Sequence, residues 1–317
     1  MATEEYVPVT ADDWYQRRRD DAEGRFFRRV ADQGPRKGEG GSTRQGIYCL
    51  TADGQLLVYK NAGQNPEVMR EALRQGLREW RKLPPQRRQP GAVQVGEPDQ
   101  IDPRYTRTPP RGGLIVNVFT RILDHQDGEL CRGTCRTLGG NQAARDHLWL
   151  TEAEWQSLVP ADPRPGNGFP LPAAIAERLL RFHLVDNTRG EPPMWRREDI
   201  RSQLMMLTVE EATAAVVRLR LDGFALLATH PDDAQADRGF DVRLLGYIGY
   251  DRTRKMINRF EVVAVGDHWG EGPFTRGARP GRTPLGIAFE LADGKSAADR
   301  VPPQAARDLR SYFGHDR

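Results

Sequence analysis

Two hydrophobic periods divide this chain. The first part carries helical spacing, and from about Ser202 the period changes to two. Residues 6–9, YVPV, predict a short strand. Residues 20–33 predict a helix with Phe26, Phe27 and Val30 on one face and Gly34 as its stop. Gly46–Lys60 predicts two strands around an Asp53-Gly54 turn, because that dipeptide favours a tight hairpin. Asn65 and Pro66 are cap and first-turn residues of a helix whose apolar stripe is Met69, Leu73, Leu77 and Trp80, ended by Pro84 and Pro85.

Residues 84–112, rich in Pro, Arg, Gln and Gly, read as a linker or an extended wrap. Leu114–Leu123 is an apolar run expected to be a buried strand. Thr151 and Glu154 have capping-box spacing, and Ala173–Phe182 is an amphipathic helix. Val216–Leu221, Phe240–Tyr250, Arg259–Val265 and Leu285–Leu291 then alternate as strands. Gly246 and Gly249 mark a bulge or close backbone approach, and Val301–Tyr312 is expected to be a terminal helix. The expected fold class is α+β: an α/β segment at 1–83, a linker at 84–112, and a mainly antiparallel β sandwich or open barrel at 113–317 with two short helices near its start.

Composition narrows the function classes. The chain has 317 residues, 29% charged and 38% hydrophobic, with a net charge of +3. Lys and Arg are interspersed with Asp and Glu, as in Arg17–Asp21, RRRDD, so no nucleic-acid footprint is expected. No run approaches the roughly 20 apolar residues of a membrane span. The first residues lack a basic region followed by an apolar one, and three cysteines do not make a disulfide framework, so a cytoplasmic setting is the expectation. The partner is an unidentified small molecule or protein.

The phrase TADGQLL, followed by a helix ending in REW, resembles the second half of thioredoxin-like domains. The resemblance covers residues 1–83. It implies a strand pair closed by a helix, but the redox C-x-x-C of that family is absent, and Thr43-Arg44-Gln45-Gly46 lacks its usual proline. What the resemblance implies is thus a thioredoxin-like domain without ordinary thioredoxin chemistry.

The sharpest chemical signal is Cys131 and Cys135, a C-x3-C pair in a chain with only one other cysteine, Cys49. Two thiolates suit a soft or borderline cation, so copper or zinc is the candidate cofactor. His147, 12 positions after Cys135, and His125, 6 before Cys131, are the candidate further ligands. The spacing resembles the copper-binding C-x3-C of the Sco family. Arg132 and Arg136 favour thiolate, so a redox dithiol is a second reading, with Cys49 as resolving thiol. A third is two ordinary small residues. Asp267 and His268, between glycines in GDHWGEG, are the candidate acid–base pair of a hydrolase-like site, or else part of a turn. His183, Asp186, Arg189 and Trp195 form a polar cluster able to line a cleft, while Met205 and Met206 read as core.

The leading expectation is a metal- or thiol-dependent protein acting through Cys131 and Cys135, with His147 completing the site. The alternative is a non-catalytic binding module whose β domain holds a ligand or partner. Whether the chain is an enzyme stays open.

Overall fold

Backbone contacts separate the chain into two units, Met1–Arg107 and Thr108–Arg317. The structure is a computed structural model that describes residues 2–38, 42–61, 65–89, 101–123, 125–126, 129–130 and 143–314.

The first unit contains α1 (Ala2–Glu5), α2 (Asp13–Gln16), α3 (Ala22–Ala31), the antiparallel pair β1 (Ile47–Leu50) and β2 (Leu56–Lys60), and α4 (Pro66–Arg81). Asp21 caps α3 by accepting from the Gly24 amide, and Asn65 caps α4 through the Glu67 and Val68 amides. Gly54, at φ +87°, supplies the left-handed residue of the β1–β2 turn. Residues 6–9 form no strand. Pro8 cannot donate to a ladder, Val7 and Val9 are exposed, and Tyr6 instead donates its hydroxyl to Leu73 O at 2.7 Å.

The face α4 buries overlaps the stripe of large residues only at its middle, where Leu73 packs against the small core of this unit. Ala72 and Gly76 meet the hairpin, while Met69 and Trp80 stay exposed. The reason is clearance: a Cβ on Gly76 would lie 2.8 Å from Cys49 Cβ. Residues 101–107 pack within this unit. The Asp102 amide donates to Asp21 at 2.9 Å, and the Asp20 amide donates to Asp102 at 3.0 Å.

The second unit contains β3 (Leu114–Ile122), β4 (His125–Gln126), β5 (Glu129–Leu130), β6 (Ala143–Leu150), α5 (Glu152–Gln156), β7 (Gly168–Pro170), α6 (Ala173–Arg178), β8 (Ile200–Ala212), β9 (Val216–Ala228), β10 (Gly239–Asp251), β11 (Met256–Trp269), β12 (Thr283–Leu291) and α7 (Leu309–Tyr312). Eight of these strands form one antiparallel sheet, in the order β6-β3-β12-β11-β10-β9-β8-β7. Five consecutive strands, β8 to β12, make a meander, and β12 then pairs back onto β3. The fold class is therefore α+β with an antiparallel sheet in the second unit. The period-two alternation is borne out in burial. Leu219, Leu221, Val242, Leu244, Val262 and Ala264 point inward to a single core with Trp155 of α5 and Ile175 of α6. The bulge falls at Gly249/Tyr250 on β10.

Two details differ from the periodicity. The terminal helix is broken into a 3-10 turn, Gln304–Arg307, and α7, because Pro302 and Pro303 deny the first turn its donors. α6 stops at Arg178 and passes into one wide turn, Leu179–His183. Arg178 itself is fully buried. It makes a bidentate ion pair with Glu154 at 2.6 and 2.5 Å and donates to the Trp149 and Tyr312 carbonyls, joining α5, α6, β6 and α7.

Candidate functional site

Strand alternation decides what the GDHW segment does. It is the end of β11, where Phe240 of β10 and Thr283 of β12 lie opposite His268 on either side. His268 therefore points to the packed face and is only 7% exposed. Its ring makes an edge contact with Phe240 at 5.9 Å between centroids. Asp267 points to the other face and is exposed, opposite Asp241. The structure does not bring Asp267 and His268 together. Trp269 caps the strand end, donating from Nε1 to Ala236 O at 3.0 Å beneath the Arg282 guanidinium. Gly270, at φ +79°, turns the chain out of the strand.

The carboxylate that His268 meets is Asp186, from the segment after α6. Asp186 accepts from Arg189 Nε at 2.9 Å and from the Thr188 amide and hydroxyl at 3.0 and 2.6 Å. Arg189 also donates to the carbonyls of Thr275 and Gly270. These side chains, with Trp269, Arg279, Thr283 and Leu285, line a cavity of about 20 Å³. That is room for one water-sized group, since a water needs about 10–15 Å³ of such space.

The electrostatics of this cavity follow from burial. Burial pushes His268 down to about 4, helped by the Arg189, Arg238 and Arg279 charges and opposed by Asp186, so its imidazole is neutral near pH 7. Asp186 is also buried, which would raise its carboxyl. The Thr188 hydrogen bonds and the Arg189 guanidinium outweigh that and hold it below the ordinary value. Arg238 stacks on Trp195 at 3.9 Å and donates to Pro193 O; burial lowers it to about 10. Arg279 donates to the Leu123 and Pro284 carbonyls, both at 2.7 Å. Arg189 and Arg279 line the cavity with Asp186, and Glu271 adds a second carboxylate beside it, 4.0 Å from Arg189 and accepting from the Gly277 and Ala278 amides. Among the described residues, no side chain or backbone group hydrogen-bonds the His268 ring.

The other sequence candidates are dispersed. Cys131 and Cys135 lie outside the described residues. His125 is in the β4–β5 pair, and His147 is on β6 opposite Asn117 of β3. The His147 ring is buried, which lowers its pKa, an effect that the Asp146 charge and the nearby Val301 backbone partly oppose. No group of three or more His, Cys, Asp and Glu able to hold a metal occurs among the described residues. Cys49 is buried and its thiol is pushed up by burial, which makes it an inert core group. Met205 is core, as expected. His183 hydrogen-bonds the Tyr312 hydroxyl at 3.0 Å inside the second unit.

Asp186 and Arg189 were visible in the sequence as a polar cluster, but their meeting with His268 was not. Arg238 and Arg279 carried no signal at all, being single arginines in an arginine-rich chain. No helix is long and apolar enough to cross a membrane among the described residues. Comparison with protein-family models, with curated proteins and with solved structures finds no match to this chain.

Proposed function

We propose that this chain is a non-catalytic binding module and that its second unit takes a small anion, or the carboxylate end of a larger ligand, at His268. One observation carries this reading: a nearly buried imidazole with no hydrogen-bond partner among the described residues lines a cavity that Arg189 and Arg279 also line. The ring faces a cavity with room for one water-sized group, and an occupant there can supply the hydrogen bond that the described residues do not. The neutral imidazole donates one N–H, and Arg189 and Arg279 supply the positive field, which is strong in a low-dielectric interior. Asp186 does not repel the anion strongly because Arg189 and Thr188 already engage it.

Thermal unfolding with added formate or chloride tests this, with sulfate as the ionic-strength control. At ten times Kd, binding adds about 1.4 kcal/mol, a rise of several degrees in Tm. A His268→Gln variant should show no such rise. An equal rise in wild type and variant would sink the reading.

A second reading has its own observation. The buried His147 ring lies on β6, the strand that follows the Cys131–Cys135 segment in sequence. We keep copper or zinc binding by Cys131, Cys135 and His147, or a dithiol there, as the alternative. Elemental analysis of reduced protein against Cys131→Ser separates it from the anion site. In the first unit, the β1–β2 pair followed by α4 supports the thioredoxin-like resemblance as a proposal. In the second, both ends of the sheet feed one core, which supports an open barrel.

A further inference from the structure

We infer that the outer face of the eight-stranded sheet is a self-association surface, and that its occupant is a second copy of this chain packed sheet on sheet with its strands running in reverse. The inference is independent of the cavity, which lies on the sheet's other face.

The outer face carries large apolar side chains among its charged ones, which include Asp222, Arg243, Glu261 and Glu290. Leu204, Phe224, Leu245, Val263, Val265 and Phe119 are each between 37% and 51% exposed. They fall into two groups, because Phe224 lies opposite Arg243 and Leu245 opposite Asp222. Leu204 lies opposite Phe224, Leu245 opposite Val263, and Ala288 joins Val263 to Phe119. Together the two groups expose roughly 500 Å² of apolar surface. Two such faces opposed to each other cover on the order of 1,000 Å², the lower bound for a specific interface before any rim is added.

Charge selects both the occupant and its orientation. At one end of the β10–β11 hairpin, Asp241 and Asp267 lie directly opposite each other, both exposed. Neither has an ion-pair partner among the described residues. Like charges opposed across a ladder destabilise it, so this pair is poorly placed in a monomer. At the tip of the same hairpin stand Arg252, Arg254 and Lys255, beside a single carboxylate, Asp251. The acidic and basic ends are about ten residues apart along β10, on the order of 33 Å, with apolar side chains between them. A two-fold axis in the plane of the interface and across the strands seats each acidic end on the partner's basic tip. The same rotation brings the two outer faces together. Aligned sheets pack this way at about −30°.

The test is sedimentation velocity of the full chain across about 1 to 200 µM, a range that brackets a Kd of about 10 µM. Wild type should pass from monomer to dimer, and Val263→Arg should remain monomeric. Two charge-reversal variants keep the test sound if Val263→Arg fails to fold. Asp241→Lys with Asp267→Lys makes both ends basic, and Arg254→Glu with Lys255→Glu makes both ends acidic. Each alone should lose at least tenfold in affinity, and an equimolar mixture should regain a heterodimer. Monomeric wild type at all concentrations would overturn the inference. So would a dimer indifferent to these variants, a mixture that stays monomeric, or a monomer that sediments with anionic lipid vesicles through this face.

Discussion

Asp267 and His268 are consecutive residues that face opposite sides of one sheet. In a strand, adjacent side chains are separated by the sheet itself, so this pair cannot share a proton. Their roles should separate experimentally. Asp267→Asn should leave the anion-induced rise in Tm unchanged, and His268→Gln should abolish it. Thermal melts with and without formate check both. Loss of the response in Asp267→Asn would mean that the exposed carboxylate acts at the cavity after all.

Stability should fall on mild acidification because of His268. Its folded pKa is about 4, against an ordinary value near 6.5. Between those values the unfolded chain binds the proton and the folded chain does not. Protons therefore favour unfolding as the pH drops from about 6.5 towards 4, by up to about 1.4 kcal/mol per pH unit. Urea midpoints should decline through this window in wild type and decline less in His268→Gln. Parallel curves would show that His268 is not held neutral.

Much of the second unit was legible because alternation was strict. Val217, Leu219 and Leu221 alternate with Arg218 and Arg220, and the sheet buries the first set. The site was less legible, because it depends on which distant loops meet β11. Asp186 lies 82 positions from His268, and no local pattern links them. The α4 stripe departs from its pattern at Met69 and Trp80, which stay exposed, for another reason. Large residues mark a core face only where there is room, and beside Cys49 there is none.

That clearance yields a prediction against helix propensity. On an open helix, Gly76→Ala would stabilise by about 1 kcal/mol. Here the added Cβ falls 2.8 Å from Cys49 Cβ and 2.5 Å from the Tyr6 hydroxyl. The variant should lose about 1–3 kcal/mol instead, read from the urea transition of the first unit. A gain in stability would refute the close packing.

The buried Arg178–Glu154 pair should be costly to break. Arg178→Met leaves the Glu154 carboxylate uncompensated and the Trp149 and Tyr312 carbonyls short of a donor. The expected loss is about 3–5 kcal/mol. Arg178→Met combined with Glu154→Gln should recover part of it, because no buried charge is then left alone. Denaturant melts of both variants measure this; a double variant no better than the single would show that the carbonyl contacts dominate.

The central claim is that the His268 cavity holds a small anion. The most direct measurement is the imidazole nitrogen NMR signal of His268 in ¹⁵N-histidine protein near pH 7, titrated with formate at constant ionic strength. The account predicts a saturable shift of one neutral imidazole signal, assigned by its loss in His268→Gln, with the other histidines unmoved. A His268 signal that stays fixed throughout the titration, or one that already shows a protonated ring near pH 7, would contradict it.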